Sequence, residues 1–425
     1  MSARVLDSAG NPPAPPAPAA SSLPPAPVGS AAAPTTTLGD GTLLLMAVAT
    51  GLCAGSNYFN QPLLHSIATS LSITDAAAAF TVTVSQLAYA LGLVLLVPLG
   101  DKLERRGLAV GLMVLAAIGL LLSGWAHSYP MLLAGTVMTG LFSVAAQTLV
   151  PMAATLSDPA RSGRAVGLLM SGLLTGILAA RSVAGLLSGV GGWSLVYRVA
   201  APVMLVLAAA LWFVLPRSRN AEPIRYAAVL RSLGALAREH PRLRSRALLG
   251  ALSFASVSVL FSTMALLLAG PGHRLGDTEI GLVGAVGVAG ALMASVAGRL
   301  ADRGWVQATT GVSVALLLLG WGALALGGAH LGWFLLGFLL VDLGLPGVHI
   351  SNQSVIYALA PQARSRINAV YMTCYFVGAS AGSALGAVAW RQGGWLACCA
   401  LGATLVLMAA WALWHDQRLT RRMRH

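Results

Sequence analysis

A charged or ionisable side chain inside an apolar run is costly to bury in a bilayer, so its presence points to a purpose. Of 13 acidic residues in this chain, only Asp342 falls near the middle of a long apolar stretch. A carboxyl there can carry a proton or hold a cation, or it can be a neutral structural group held by hydrogen bonds. His349 follows seven positions later and Gln353 four beyond that. At 3.6 residues per turn the three share one helical stripe, with Pro346 bending the helix between them. Asp342 and His349 are therefore the candidates for proton coupling. Arg181 is the one positive charge well inside an apolar run. Arginine does not shed its proton, so it needs a counter-ion, a wet cavity or an anionic ligand. Structural pairing, binding of a substrate carboxylate or phosphate, and coupling all remain open for it.

Uncharged polar residues gather in the same apolar stretches: Asn57, Asn60 and Gln61, then Gln86 and Tyr89, Gln147, and Tyr371 with Tyr375. Amides and phenols facing one space, with Arg181 and Gln353, would suit an amphipathic organic solute. The competing reading is hydrogen bonding between helices, worth about 0.6 kcal/mol per contact. Cys53, Cys374, Cys398 and Cys399 have no metal-ligand spacing and read as small apolar residues. Neither a metal nor a cofactor is expected.

The elements that must position these residues follow from composition. Hydrophobic residues make up 57% of the chain and charged ones 9%, against roughly 25% charged in an ordinary soluble protein. That excludes a cytosolic enzyme, a secreted disulfide scaffold and a disordered regulator, and leaves an integral membrane protein. The net charge of +13 would suggest a nucleic-acid binder in a soluble chain; here it belongs in loops on one side of a bilayer, and no nucleic-acid partner is expected. Residues 1–38, rich in Pro and Ala, read as a disordered cytoplasmic tail.

From residue 42 onward, twelve apolar runs approach the ~20 residues that span a hydrocarbon core: 42–66, 79–99, 108–126, 130–156, 164–188, 194–215, 247–270, 278–300, 308–327, 331–358, 367–389 and 394–414. Continuous runs of this length exclude a β-barrel. Alternating loops between these segments place 22 of the 26 Lys and Arg on one side, which the positive-inside rule makes cytoplasmic, with both termini. The halves repeat: Asp101-Lys102 after segment 2 matches Asp302-Arg303 after segment 8. Pro159-Ala160-Arg161-Ser162 likewise matches Gln362-Ala363-Arg364-Ser365. The expected organisation is an all-α membrane protein of two pseudo-symmetric six-helix bundles. They cover 39–215 and 247–415, joined by a basic cytoplasmic linker at 216–246 and closed by a basic tail at 416–425. Paired six-helix halves hold a substrate between them near the midplane.

On these features the chain resembles the major facilitator superfamily of secondary transporters. Asp101, Lys102, Arg105 and Arg106 match its first signature, with Val97 and Glu104 in place of both glycines; the second copy keeps Gly298, Asp302 and Arg303. The resemblance implies that Asp101, Lys102, Arg105, Arg106, Asp302 and Arg303 brace a cytoplasmic gate. It also implies that helices 5 with 8, and 2 with 11, line the moving interface, where Gly281, Gly284, Gly287 and Gly290 and Gly378, Gly382 and Gly386 fall. Drug-proton antiporters of the family carry an arginine in helix 4 and a Gly-Pro pair in helix 5; here Thr136 and Ala180-Arg181 stand there. With Asn60-Gln61-Pro62-Leu63-Leu64 in helix 1, the whole looks most like an uncharacterised bacterial branch near the twelve-helix drug antiporters. The expected function is proton-coupled efflux of small amphipathic or drug-like molecules by a monomer in the bacterial inner membrane. The alternative is an importer or facilitator of a small organic anion using Arg181 and His349. A sensor or an enzyme is disfavoured, since no extra domain, nucleophile-base constellation or Gly-rich phosphate loop stands out.

Overall fold

The computed structural model describes residues 38–158, 161–218, 226–287, 293, 296–301, 303–359 and 364–422. The expected N-terminal tail and parts of both Ala-Arg-Ser repeats lie outside them. The described residues are helical with short turns and contain no strand. Ten helices among them are long and apolar enough to cross a membrane.

The first, α1, runs Asp40–Gly55, passes through two 3-10 turns at Ser56–Tyr58 and Gln61–Leu63, and resumes as Leu64–Leu71. Pro62 explains the break, because a proline removes a helical donor but is tolerated at the start of a new turn. Next, α2 spans Asp75–Leu95, with the Thr74 hydroxyl accepting from the Ala77 amide at 3.2 Å, an N-cap with an acid in the first turn. Then α3 is Arg105–Gly124, and α4 consists of Tyr129–Phe142 and Ala145–Leu156. After it, α5 is Ser162–Gly191 and α6 is Leu195–Val214. A helix at Tyr226–Glu239 lies within the linker.

The second half begins earlier than apolarity suggests: α7 is Pro241–Ala269, so Arg242, Arg244 and Arg246 belong to its first turns. Described parts of α8 are Asp277–Val283, a 3-10 turn at Gly284–Gly287, and 296–301. Both α9, Val306–Leu326, and α10, Leu331–Leu359, are continuous. The last helical stretch, Arg364–Arg422, reverses at Gly393 and Gly394, where φ of Gly394 is +59°. That left-handed conformation suits glycine; the stretch is therefore two helices, α11 (364–392) and α12 (395–422). With it and α8 the described helices fit the twelve-helix layout.

The two halves repeat in packing as well as in sequence. In the first, α1 packs on α5 and α3 on α6; in the second, α7 packs on α11 and α9 on α12. Glycine carries the first of these contacts in both. A Cβ on Gly172 or Gly176 would overlap the α1 backbone at Ala47 or Gly51, and one on Gly378 or Gly382 would overlap α7 at Ala251 or Ala255. The helix 11 stripe expected at the moving interface thus packs inside its own half. Between the halves, α2 meets α11 and α5 meets α8. Large apolar side chains such as Leu91, Val206, Leu319, Leu396 and Leu407 lie exposed on the outside of the helices, as acyl chains require.

Candidate functional site

The two central charges come from opposite halves. Arg181 on α5 is 2% exposed. Its Nε donates to Gln61 Oε1 at 2.7 Å, and its guanidinium lies 3.8 Å from the Phe261 ring centre on α7 and 5.4 Å from that of Tyr58. Asp342, on α10 of the other half, is partly buried. The glycine turn of α8 sits beside both. A Cβ on Gly284 would be 3.0 Å from Arg181 Cβ, and one on Gly287 would be 3.3 Å from Asp342 Oδ2. Small residues here let the side chains of both halves share one desolvated space, where charges interact far more strongly than in water.

The stripe expected on α10 divides. Seven residues rise about 10 Å along a helix, too far for His349 to touch Asp342. His349 instead turns to α11, where its Nδ1 lies 3.1 Å from the Tyr371 hydroxyl. Gln353 donates to Asn368 Oδ1 at 3.3 Å, beside Tyr357, which donates to the same oxygen at 3.0 Å. A run of rings joins His349 to the first half. His349 and Tyr375 are 4.8 Å apart, Tyr375 and Phe254 4.1 Å, Phe254 and Phe376 5.5 Å, and Phe376 and Tyr89 on α2 4.4 Å. Gln147 ends it, donating to the Tyr89 hydroxyl at 3.2 Å.

The remaining helix 1 amides hold the break in α1 to α2. Asn60 Nδ2 donates to Thr81 Oγ1 at 3.0 Å, and Asn57 Oδ1 accepts from Ser85 Oγ at 3.0 Å. Gln86 is 1% exposed, and its Oε1 has no hydrogen-bond partner among the described residues. Buried polar atoms normally find a partner, which makes this oxygen a candidate for a guest donor.

Contacts between the halves gather away from the arginine-rich loops. Thr83 Oγ1 donates to Ser383 Oγ at 3.0 Å, and Ser182 Oγ to the Gly281 carbonyl at 3.0 Å. Thr278 Oγ1 donates to the Gly185 carbonyl at 3.2 Å, and Ser188 to the Asp277 carboxylate. On the arginine-rich side an open recess lies between Gln147 and Pro151 of α4 and Arg366 and Ala369 of α11, with Leu233 of the linker helix on its wall.

Of the expected gate, Asp302 and the Asp101 side chain lie outside the described residues; Lys102 and Arg303 are exposed. The described contacts of Arg105 and Arg106 brace the first half internally. Arg105 Nη1 donates to Thr155 Oγ1 at 3.3 Å, and Arg106 Nη1 to the carbonyls of Trp212 and Leu215 at 3.1 Å each. Glu104, which stands where the signature has glycine, caps α3. Its oxygens accept from the amides of Arg106, Gly107 and, across the loop, Ser218. Partial burial pushes the Glu104 carboxyl up, but those three amides and the Arg106 charge outweigh it and hold it below the ordinary carboxylate range.

The sequence reading missed a third cluster. Arg246 and Asp416, assigned there to linker and tail, are both 0% exposed and joined at 2.6 and 3.0 Å. Ser245 and Gln307 also donate to Asp416, and Asn352 bridges Arg246 to α10. An Asp directly after an apolar run, facing a basic segment that opens another, was the available signal.

The model of the Major Facilitator Superfamily matches residues 46–383. The chain belongs to that superfamily. Among its relatives, the uncharacterized transporter YgaY of Escherichia coli O157:H7 is 47% identical over 88% of this chain and 94% of its own length. A probable transporter of Streptomyces coelicolor is 32% identical over 86% and 85%. A chloramphenicol resistance protein of Streptomyces lividans is 29% identical over 67% and 72%. Among solved structures, the nucleoside transporter NupG superposes with a TM-score of 0.73 at 12% identity, covering 88% of this chain and 99% of that one. This last likeness places the superfamily fold. The chain is a membrane transporter.

Proposed function

We propose that this transporter exports small amphipathic or drug-like molecules in exchange for protons, by alternating access, as a monomer in the bacterial inner membrane. The observation that carries the reading is the placement of buried Arg181 and partly buried Asp342 on opposite halves, beside one glycine turn of α8. A charge pair across a rocking interface makes the protonation of Asp342 a term in the conformational balance. Ionised, the carboxylate favours the state that holds it near Arg181; protonated, it releases that preference. The arginine-rich face is cytoplasmic by the positive-inside rule, with the recess on that side admitting solute. Tyr89, Gln147, Tyr371 and Tyr375 with the rings between them offer an apolar wall with few polar points, as organic solutes require. Asn57, Asn60, Gln61, Gln86 and Gln353 shape it, and the helix ends around Asp101 and Asp302 form the gate. The chloramphenicol resistance relative favours efflux. The organic-anion reading is weaker, because Gln61, Phe261 and Asp342 already serve Arg181 from within the chain.

The test has two stages. Growth of deletion and overexpression strains across a panel of toxic compounds should show a compound whose tolerance tracks expression. Everted vesicles should then accumulate that compound under an imposed pH gradient, and Asp342→Asn should abolish the gradient's effect while leaving counterflow exchange. An Asp342→Asn variant that still concentrates solute in response to the gradient removes Asp342 as the coupling site.

A further inference from the structure

We propose that the buried Arg246–Asp416 pair, acting through Asn352 and Tyr371, holds His349 in the tautomer protonated at Nε2. His349 then offers the transport site a hydrogen-bond donor and never an acceptor. The inference rests on the site reading above only for what the donor serves.

Several groups in this network have a single possible role. A guanidinium only donates, so the Asn352 atom 3.3 Å from Arg246 Nη1 is its carbonyl Oδ1. A backbone carbonyl only accepts, so the Asn352 atom 3.3 Å from the Arg246 carbonyl is its Nδ2. Both constraints give the same amide orientation. The Nδ2 group also reaches the Tyr371 hydroxyl at 3.4 Å, and it can only donate there. The Tyr371 oxygen therefore receives a proton from Asn352, and its own proton points to His349 Nδ1 at 3.1 Å. Tyr371 is fully buried. A proton on His349 Nδ1 would donate to the tyrosine oxygen and leave the tyrosine proton with no other acceptor among the described residues, an arrangement buried groups avoid. The ring proton thus belongs on Nε2. His349 itself is only partly buried, and its described hydrogen bond is the one at Nδ1.

The rest of the network keeps the chain of donors pointing one way. Asp416 takes two guanidinium hydrogen bonds and others from Ser245 and Gln307, which orients Nη1 of Arg246 toward Asn352 and Thr310. Gly250 leaves room for the phenol: a Cβ there would lie 2.8 Å from the Tyr371 hydroxyl oxygen. Arg246, Asn352 and Tyr371 are positioning residues, and the solute group they select opposite His349 is an acceptor such as a carbonyl, ether or nitro oxygen.

The test uses the full chain in lipid bilayers, labelled with 15N-histidine, and solid-state NMR of the imidazole nitrogens. Subtracting the spectrum of His349→Gln assigns the His349 signals among eight histidines. The expected result is one protonated nitrogen at Nε2 and a bare Nδ1. Tyr371→Phe, which removes the donor while keeping the ring, should redistribute the proton between the two nitrogens. So should Asn352→Leu, which removes the bridge. A wild-type signal protonated at Nδ1, or a Tyr371→Phe spectrum unchanged from wild type, would overturn the proposal. Neither outcome depends on whether the chain exports anything, so failure of the efflux reading is seen separately.

Discussion

The Arg246–Asp416 pair is where a single residue matters most for folding. Both side chains are 0% exposed. Removing one partner of a buried pair leaves an uncompensated charge and costs about 3–5 kcal/mol, whereas replacing both by apolar groups is often neutral. Asp416→Ala should therefore lower the thermal unfolding midpoint in detergent sharply, and Arg246→Met with Asp416→Leu should recover most of the loss. Equal damage from the single and double variants would contradict this. Arg181 and Asp342 were legible because a charge inside an apolar run stands out in one dimension. Arg246 and Asp416 were not, because each sits at the edge of a basic stretch where a charge looks solvated. The packing of α7 against α9, α10 and α12 desolvates them. The helix 1 amides show the converse: their types were conspicuous, yet Asn57 and Asn60 turn to Ser85 and Thr81.

At the level of elements, every described helix long enough to cross a membrane corresponds to an apolar run, since ~20 such residues have no other stable state in a bilayer. Breaks within helices were less legible. The 3-10 turns at 56–63 and the pause of α4 at Ser143 depend on which neighbour takes the freed backbone groups. The start of α3 shows how one substitution in a motif can be read wrongly as a loss. Glu104 replaces a signature glycine and supplies a cap, so Glu104→Ala should destabilise by about 1 kcal/mol. Its carboxyl titrates below the ordinary 4.5 when folded. The cap's charge contribution is thus complete above that pH and is lost as pH falls through the lower folded value. Unfolding midpoints of the wild type and Glu104→Ala should differ at pH 7 and converge on acidification; a gap that widens in acid would reverse the assignment. In the helix interiors, Gly176→Val should fail to pack, because its Cβ would overlap the Gly51 backbone. The matching Gly382→Val should fail the same way against Ala255, while Gly167→Val, with open space around it, should fold normally. Expression and monodispersity in detergent would separate the three.

On the scale of the whole molecule, the described contacts between halves lie toward one face and the recess toward the other, as one end state of the proposed alternating-access cycle requires. Among the described residues, closure there uses hydroxyls and glycines, with the Asp277 carboxylate accepting from Ser188, so it can open cheaply. Thr83 on α2 and Ser383 on α11 mark the closed side, with their hydroxyls 3.0 Å apart. Cysteines at both positions in a background lacking the four native ones should form a disulfide on mild oxidation. Such a crosslink holds the halves shut at that face while leaving the recess on the arginine-rich side accessible. Transport should stop on oxidation and return on reduction, and a large thiol-reactive label should still reach a cysteine placed at Ala369 in the crosslinked protein. If the oxidised protein turned over at the normal rate, α2 and α11 would not separate during the cycle, and solute would have to leave by a route other than the rocking of two halves.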